Sequence, residues 1–232
     1  MQMSQDTWDQ LPPFALFDEV GFPGRRAVEV LSRSIGRVLH AIEYELLKLP
    51  DDVYPEAVQD DAQEWDALGC DYGLDSVHCI FEQGGREGVS FTWNWEVLNY
   101  ELCVSAFTDG RDHSNYRVFD ANGRPSWRDV VGQQVVDVAT GWIDEAAIQH
   151  TQADGTSIAS SFRGATHALG CVAIRVDTGL TVFITNSHVE TGKLGGEYDE
   201  LAVASGAQTR RLGLIGSDGR LEGFTWFRLK PY

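Results

Sequence analysis

Short stretches of alternating apolar and polar residues, cut at intervals by turn-forming pairs, constrain this chain more than any other feature. The turns are Asp109-Gly110, Asn122-Gly123, Asp154-Gly155, Asp177-Thr178-Gly179 and Asp218-Gly219. Glycine enters the φ > 0 region without a steric penalty, so such pairs favour tight reversals between antiparallel strands. Period-two runs rich in β-branched and aromatic residues surround them. Strands are expected at 77–82, 88–95, 100–107, 133–142, 158–163, 169–176, 180–187, 200–204, 210–215 and 221–229.

The beginning of the chain follows a different period. In the stretch from Arg25 to Leu49, residues Val28, Leu31, Ile35, Val38, Leu39, Ile42, Leu46 and Leu49 recur at three- and four-residue steps. That spacing predicts one amphipathic helix of about 24 residues, ended by Pro50 and the Asp51-Asp52 pair. Gly36 sits on its apolar stripe and suggests close packing there. The expected class is therefore α+β: one long N-terminal helix followed by predominantly antiparallel β-sheet. The division read from the sequence is 1–125 for the helix, an acidic segment and a first β unit, and 126–232 for a second β-rich unit, within one continuous domain or as two.

The two halves echo each other. Cys79-Ile80-Phe81 leads through "VSFTWNWE" to "ELCVSA", and Cys171-Val172-Ala173-Ile174 leads through "TVFITNSHVE" to "ELAVAS". A duplicated strand–hairpin–strand unit accounts for this, and so does a coincidence of β patterning.

Charge is the second constraint. The 232 residues carry a net charge of −17, and residues 1–125 hold 23 acids against 9 bases. Between Lys48 and Arg86 stand ten acids and no base: Asp51, Asp52, Glu56, Asp60, Asp61, Glu64, Asp66, Asp71, Asp75 and Glu82. Such a field repels nucleic acid and anionic membrane, and it attracts basic partners and speeds their encounter. A solvated face is the plain alternative. Large side chains interleaved with the acids, Tyr54, Trp65 and Tyr72 among them, favour an interface. No apolar run approaches the roughly 18 residues needed to span a bilayer. The polar N-terminus lacks the pattern of a secretory signal, and the four scattered cysteines fit a reducing compartment, so a cytoplasmic protein is expected.

Each catalytic or metal motif in the chain has a simpler reading. "VFITNSHVET" resembles the histidine segment of trypsin-like serine proteases. Its partner serine would need a segment like Gly216-Ser217-Asp218-Gly219, which lacks the usual glycine pair and reads as a hairpin turn. His188 therefore reads as a strand-end residue. Asp177-Thr178-Gly179 spells an aspartic-protease tripeptide, but one more Asx-Gly-type turn explains it. Cys70, His78 and Cys79 have zinc-binding side chains. On a strand, however, His78 and Cys79 face opposite ways and cannot share one ion. Asp109, Asp112 and His113 form a polar loop without calcium-loop spacing. No catalytic residue, metal site or cofactor is expected.

This combination of an acidic segment, a helical lead-in and a β-rich remainder resembles the immunity proteins of bacterial toxin systems, and the segment "PSWRDVVGQQVVDV" resembles the start of β-rich domains common in bacterial proteins. The resemblance is one of profile and layout. It implies a non-enzymatic cytoplasmic protein that occludes the active site of a basic toxin domain, without direct nucleic-acid or membrane binding. The partner-binding residues expected are Asp51, Asp52, Tyr54, Glu56, Asp60, Asp61, Glu64, Trp65, Asp66 and Tyr72, with the aromatics as desolvated anchors. Two alternatives stay open: a DNA mimic that inhibits DNA-binding proteins, and a small-ligand-binding or enzymatic β-domain using Trp93, Trp95 and His188.

Overall fold

The computed structural model describes residues 8–14, 24–47, 65–66, 69–81, 87–93, 102–108, 113–144, 149–151, 157–159, 167–186, 201–211 and 224–231. Among the described residues, helices α1 (Arg25–Ser32) and α2 (Gly206–Arg211) accompany thirteen strands. The first six strands are β1 (Ala41–Leu47), β2 (Asp71–Leu74), β3 (Ser76–Ile80), β4 (Glu87–Trp93), β5 (Leu102–Thr108) and β6 (Tyr116–Asp120). The others are β7 (Val135–Asp144), β8 (Gln149–Thr151), β9 (Ser157–Ala159), β10 (His167–Val176), β11 (Thr181–Asn186), β12 (Leu201–Ser205) and β13 (Thr225–Arg228).

The chain is β-rich, as the alternation predicts, but the long helix is not there. Helix α1 stops after eight residues, and Ala41–Leu47 is a strand. The physical reason lies at Gly36, whose φ of 89° takes the backbone out of the helical region. A Cβ there would meet nothing within 4 Å, so this glycine serves the turn and not a close contact. Beyond it the backbone bonds run to another segment: Gly36 N–H to the Val135 carbonyl and Leu39 N–H to that of Gln133. The stretch "AIEYELL" fits both periods, because Ile42 and Leu46 are four apart as well as on one face of a strand. Tyr44 decides between them: Ile42, Tyr44 and Leu46 are all buried.

Every ladder between these strands is antiparallel. One large sheet runs β5-β4-β3-β1-β6, a second runs β13-β7-β10-β11-β12-β2, and β8 pairs with β9 in a two-stranded sheet. Read from the opposite edge, the second sheet repeats the first. The order β12-β11-β10-β7-β13 matches β5-β4-β3-β1-β6 strand for strand in chain order, with β2 added beyond β12. The strands of the sequence echo, β3 to β5 and β10 to β12, occupy corresponding places in the two sheets. The Asp177-Thr178-Gly179 turn joins β10 to β11, with Gly179 at φ 81°.

One continuous apolar cluster draws on both sheets. Ile42, Tyr44, Val77, Cys79, Val89 and Phe91 come from the first, and Val138, Trp142, Val172, Ile174, Ile184 and Val203 from the second. Burying each of the larger side chains contributes about 1.5–3 kcal/mol. Trp8 and Leu11 cover the other face of the six-stranded sheet, where they form a smaller cluster with Ala139, Ala173, Phe183 and Trp226. There the Arg175 guanidinium lies over the Trp8 ring and pairs with buried Asp137, which also accepts from Arg228 Nε at 2.6 Å.

Candidate functional site

The acidic segment leaves the described fold after β1 and re-enters it at Trp65. Asp51, Asp52, Tyr54, Glu56, Asp60, Asp61 and Glu64 lie outside the described residues, while Trp65, Asp66 and Tyr72 lie within them. The Trp65 ring is buried, edge-on to Tyr44 of β1 (centroids 5.8 Å) and to Phe119 of β6 (5.6 Å). Its indole Nε1 donates to the Tyr72 carbonyl at 2.6 Å. Trp65 is thus taken up inside the fold and is not a surface anchor. It fastens the far end of the acidic segment to the strand from which the segment departs. Tyr72 is half-buried beside it.

Asp66 faces outward, its side chain 63% exposed, and accepts from Arg124 Nη2 at 2.9 Å. The same guanidinium lies over the Trp65 ring, 5.2 Å from its centroid, and donates Nε and Nη2 to Asp71 Oδ1 at 3.0 and 2.8 Å. Asp71 is fully buried; its other oxygen accepts from the Tyr44 hydroxyl at 2.7 Å, which in turn accepts from Trp127 Nε1 at 2.6 Å. Burial, then the neighbouring Asp71 charge, pushes the Tyr44 phenol well up, so it stays a donor. Burial opposes the Arg124 charge, but the Asp71 hydrogen bonds and charge prevail and raise its pKa. The network is closed on itself. Chemically it positions the Asp66 carboxylate and carries no free base or nucleophile.

A second polar cluster lies on the face of the five-stranded sheet turned away from the shared core. His78 of β3 and Ser90 of β4 are cross-strand partners, and the His78 Nδ1 to Ser90 Oγ distance is 2.8 Å. His78 Nε2 lies 3.0 Å from Glu45 Oε2, without the alignment of a hydrogen bond. The other Glu45 oxygen contacts His113 Nδ1. Burial opposes the Glu45 charge, but the His78 contact, followed by His113 and Ser76, brings its pKa down to about 2. Phe107 stands edge-on to the His78 ring, with centroids 5.9 Å apart.

From the sequence, His78 is set aside as a zinc ligand, His113 falls in a polar loop and Glu45 in a helix, whereas Glu45 lies in β1. The usable signal was the alternation of Glu43 and Glu45 with Ile42 and Tyr44. His78 and Cys79 do face opposite ways, since Cys79 joins the shared core. Among the described residues no group of three His, Cys, Asp or Glu is arranged to hold a metal ion, and no helix is long and apolar enough to cross a membrane. Trp93 is half-buried against the core, and Asp177 is exposed in its turn. Trp95, Asp109, Asp112 and His188 lie outside the described residues.

No protein-family model matches the chain, and neither a curated protein nor a solved structure matches it.

Proposed function

We propose that this chain is an acidic binding protein of the cytoplasm that neutralises a cationic protein, as an immunity protein occludes the active site of its toxin. One observation carries the reading. Six acids and no base lie between Lys48 and Trp65, and Trp65 and Arg124 fasten the end of that stretch to the strand it departs from, with the Asp66 carboxylate held at the surface. Tying both ends of a segment together lowers the ordering entropy that binding must overcome. The concentrated negative field draws a basic cleft, and the carboxylates then take the place of its anionic substrate. Among the aromatics, Tyr54 and half-buried Tyr72 are the candidates for direct contact, and Trp65 supports them from within.

The test is capture from the source cell followed by assay. One basic enzyme should co-purify at near-equal stoichiometry, and one equivalent of this protein should abolish its activity. Capture of many DNA-binding proteins instead would favour a DNA mimic. Capture without inhibition would remove the immunity reading.

A further inference from the structure

We propose that Ser90 is an activated nucleophile that takes an acyl group from activated esters, with His78 as its base and Glu45 as the carboxylate that orients the base. The three side chains stand on adjacent strands of one sheet face, β4, β3 and β1, in the order hydroxyl, imidazole, carboxylate. Direct cross-strand pairing of His78 with Ser90 fixes their approach through the backbone ladder.

The chemistry sets the sense of the chain. His78 Nε2 lies 3.0 Å from the Glu45 carboxylate, an ionic contact and not an aligned hydrogen bond; because an ionised carboxylate only accepts, the imidazole proton is assigned to Nε2. Nδ1 is then the free base, and it faces the Ser90 hydroxyl. That is the division of roles a nucleophilic serine requires. All three residues are buried, and the Glu45 carboxylate stands where it stabilises the charge that the imidazole acquires during the step.

Two further observations point to a built site. A sheet face under cover ordinarily carries apolar side chains, and local rules give way chiefly where function requires it. Here that face carries Glu45, Ser76, His78 and Ser90, all buried. Phe107, which walls the imidazole, fits only because residue 88 is glycine: a Cβ there would lie 2.4 Å from its ring. His113, one-third exposed, marks the side from which solvent approaches.

In the step itself, Ser90 Oγ attacks the acyl carbon and its proton passes to His78 Nδ1. The tetrahedral intermediate collapses, the bond to the leaving oxygen breaks, and the departing alkoxide takes the proton from Nδ1. The products are an acyl ester on Ser90 and a free alcohol. Ser90 is paired on both sides, with His78 and with Ser105, which commits the strand backbone to the ladder instead of an oxyanion hole. The substrates are therefore esters with good leaving groups, not peptides.

The experiment treats the full chain with a fluorophosphonate probe and with p-nitrophenyl acetate, and locates the adduct by mass spectrometry. One adduct is expected, on Ser90, absent from Ser90→Ala. His78→Gln should slow labelling by about 100-fold or more, with circular dichroism unchanged. No adduct, an adduct elsewhere, or a His78→Gln rate equal to wild type overturns the proposal. Should His78→Gln fail to fold, Glu45→Gln decides: a labelling rate equal to wild type overturns it. The acidic segment takes no part, so charge reversal there leaves labelling unchanged.

Discussion

Arg124 and Asp71 form the ion pair that joins the two sheets. Asp71 belongs to β2, at the edge of the six-stranded sheet, and its second oxygen accepts from Tyr44 in β1 of the five-stranded sheet. Arg124 and Trp127 reach the pair from the connection between β6 and β7. One buried carboxylate therefore holds three parts of the chain that are distant in sequence.

Removing only one member of that pair leaves a buried charge unmatched. Asp71→Ala should lower stability by about 3–5 kcal/mol, whereas Asp71→Ala with Arg124→Met should lose clearly less. Urea unfolding of both variants beside wild type checks this. Equal losses would mean that the charge itself is unimportant.

Two glycines should resist substitution for different reasons. Gly36→Ala forces a side chain into φ 89° and should cost about 1–2 kcal/mol. Gly88→Ala places a methyl 2.3 Å from the Cys79 carbonyl oxygen and against Phe107, costing about 1–3 kcal/mol. Gly123→Ala meets open space and should stay within about 0.5 kcal/mol of wild type. Melting temperatures of the three rank them directly.

Glu45 makes stability depend on acid in a defined window. Its folded pKa is depressed from 4.5 to about 2, so its contribution is complete above about 4.5 and is lost as pH falls toward 2. The stability gap between wild type and Glu45→Gln should accordingly be widest above pH 4.5 and close through that range. A gap that widens on acidification would contradict the assignment.

The thiols should separate by burial. Burial pushes Cys70 up to about 12 and drives Cys79 and Cys171 higher still, while Cys103 is half-buried on β5. Iodoacetamide should therefore modify Cys103 first in the native protein, and the other three only on unfolding. Mass spectrometry of a timed reaction reads the order.

How far the sequence could be read depended on how much of each element its local pattern determines. Strands such as β3, β4, β10 and β11 were legible because alternation and flanking turns agreed. β1 was not, because Ile42 and Leu46 satisfy the helical period too, and only the tertiary burial of Tyr44 separates the two. β2 and β6 were missed for a related reason: each owes its place to a neighbour, β12 or β1, and not to its own composition. The acidic block was plain in the sequence. That Trp65 would turn inward was not, since its partners Tyr44, Phe119 and Arg124 lie far away along the chain. The Ser90–His78–Glu45 chain was hidden likewise, because its members meet only through the register of three strands.

The most direct measurement of the central claim is the association rate of this protein with the basic enzyme it captures. Wild type should be compared with the variant carrying Asp51→Lys, Asp52→Lys, Asp60→Lys and Asp61→Lys, at about 0.01 M and about 1 M salt, where the screening length falls from roughly 30 to 3 Å. An acidic segment that steers a cationic partner predicts a wild-type rate that drops about ten- to a thousand-fold with salt, and a variant that is slow at both. Equal rates for the two proteins, insensitive to salt, would show that the block does no more than keep the molecule in solution.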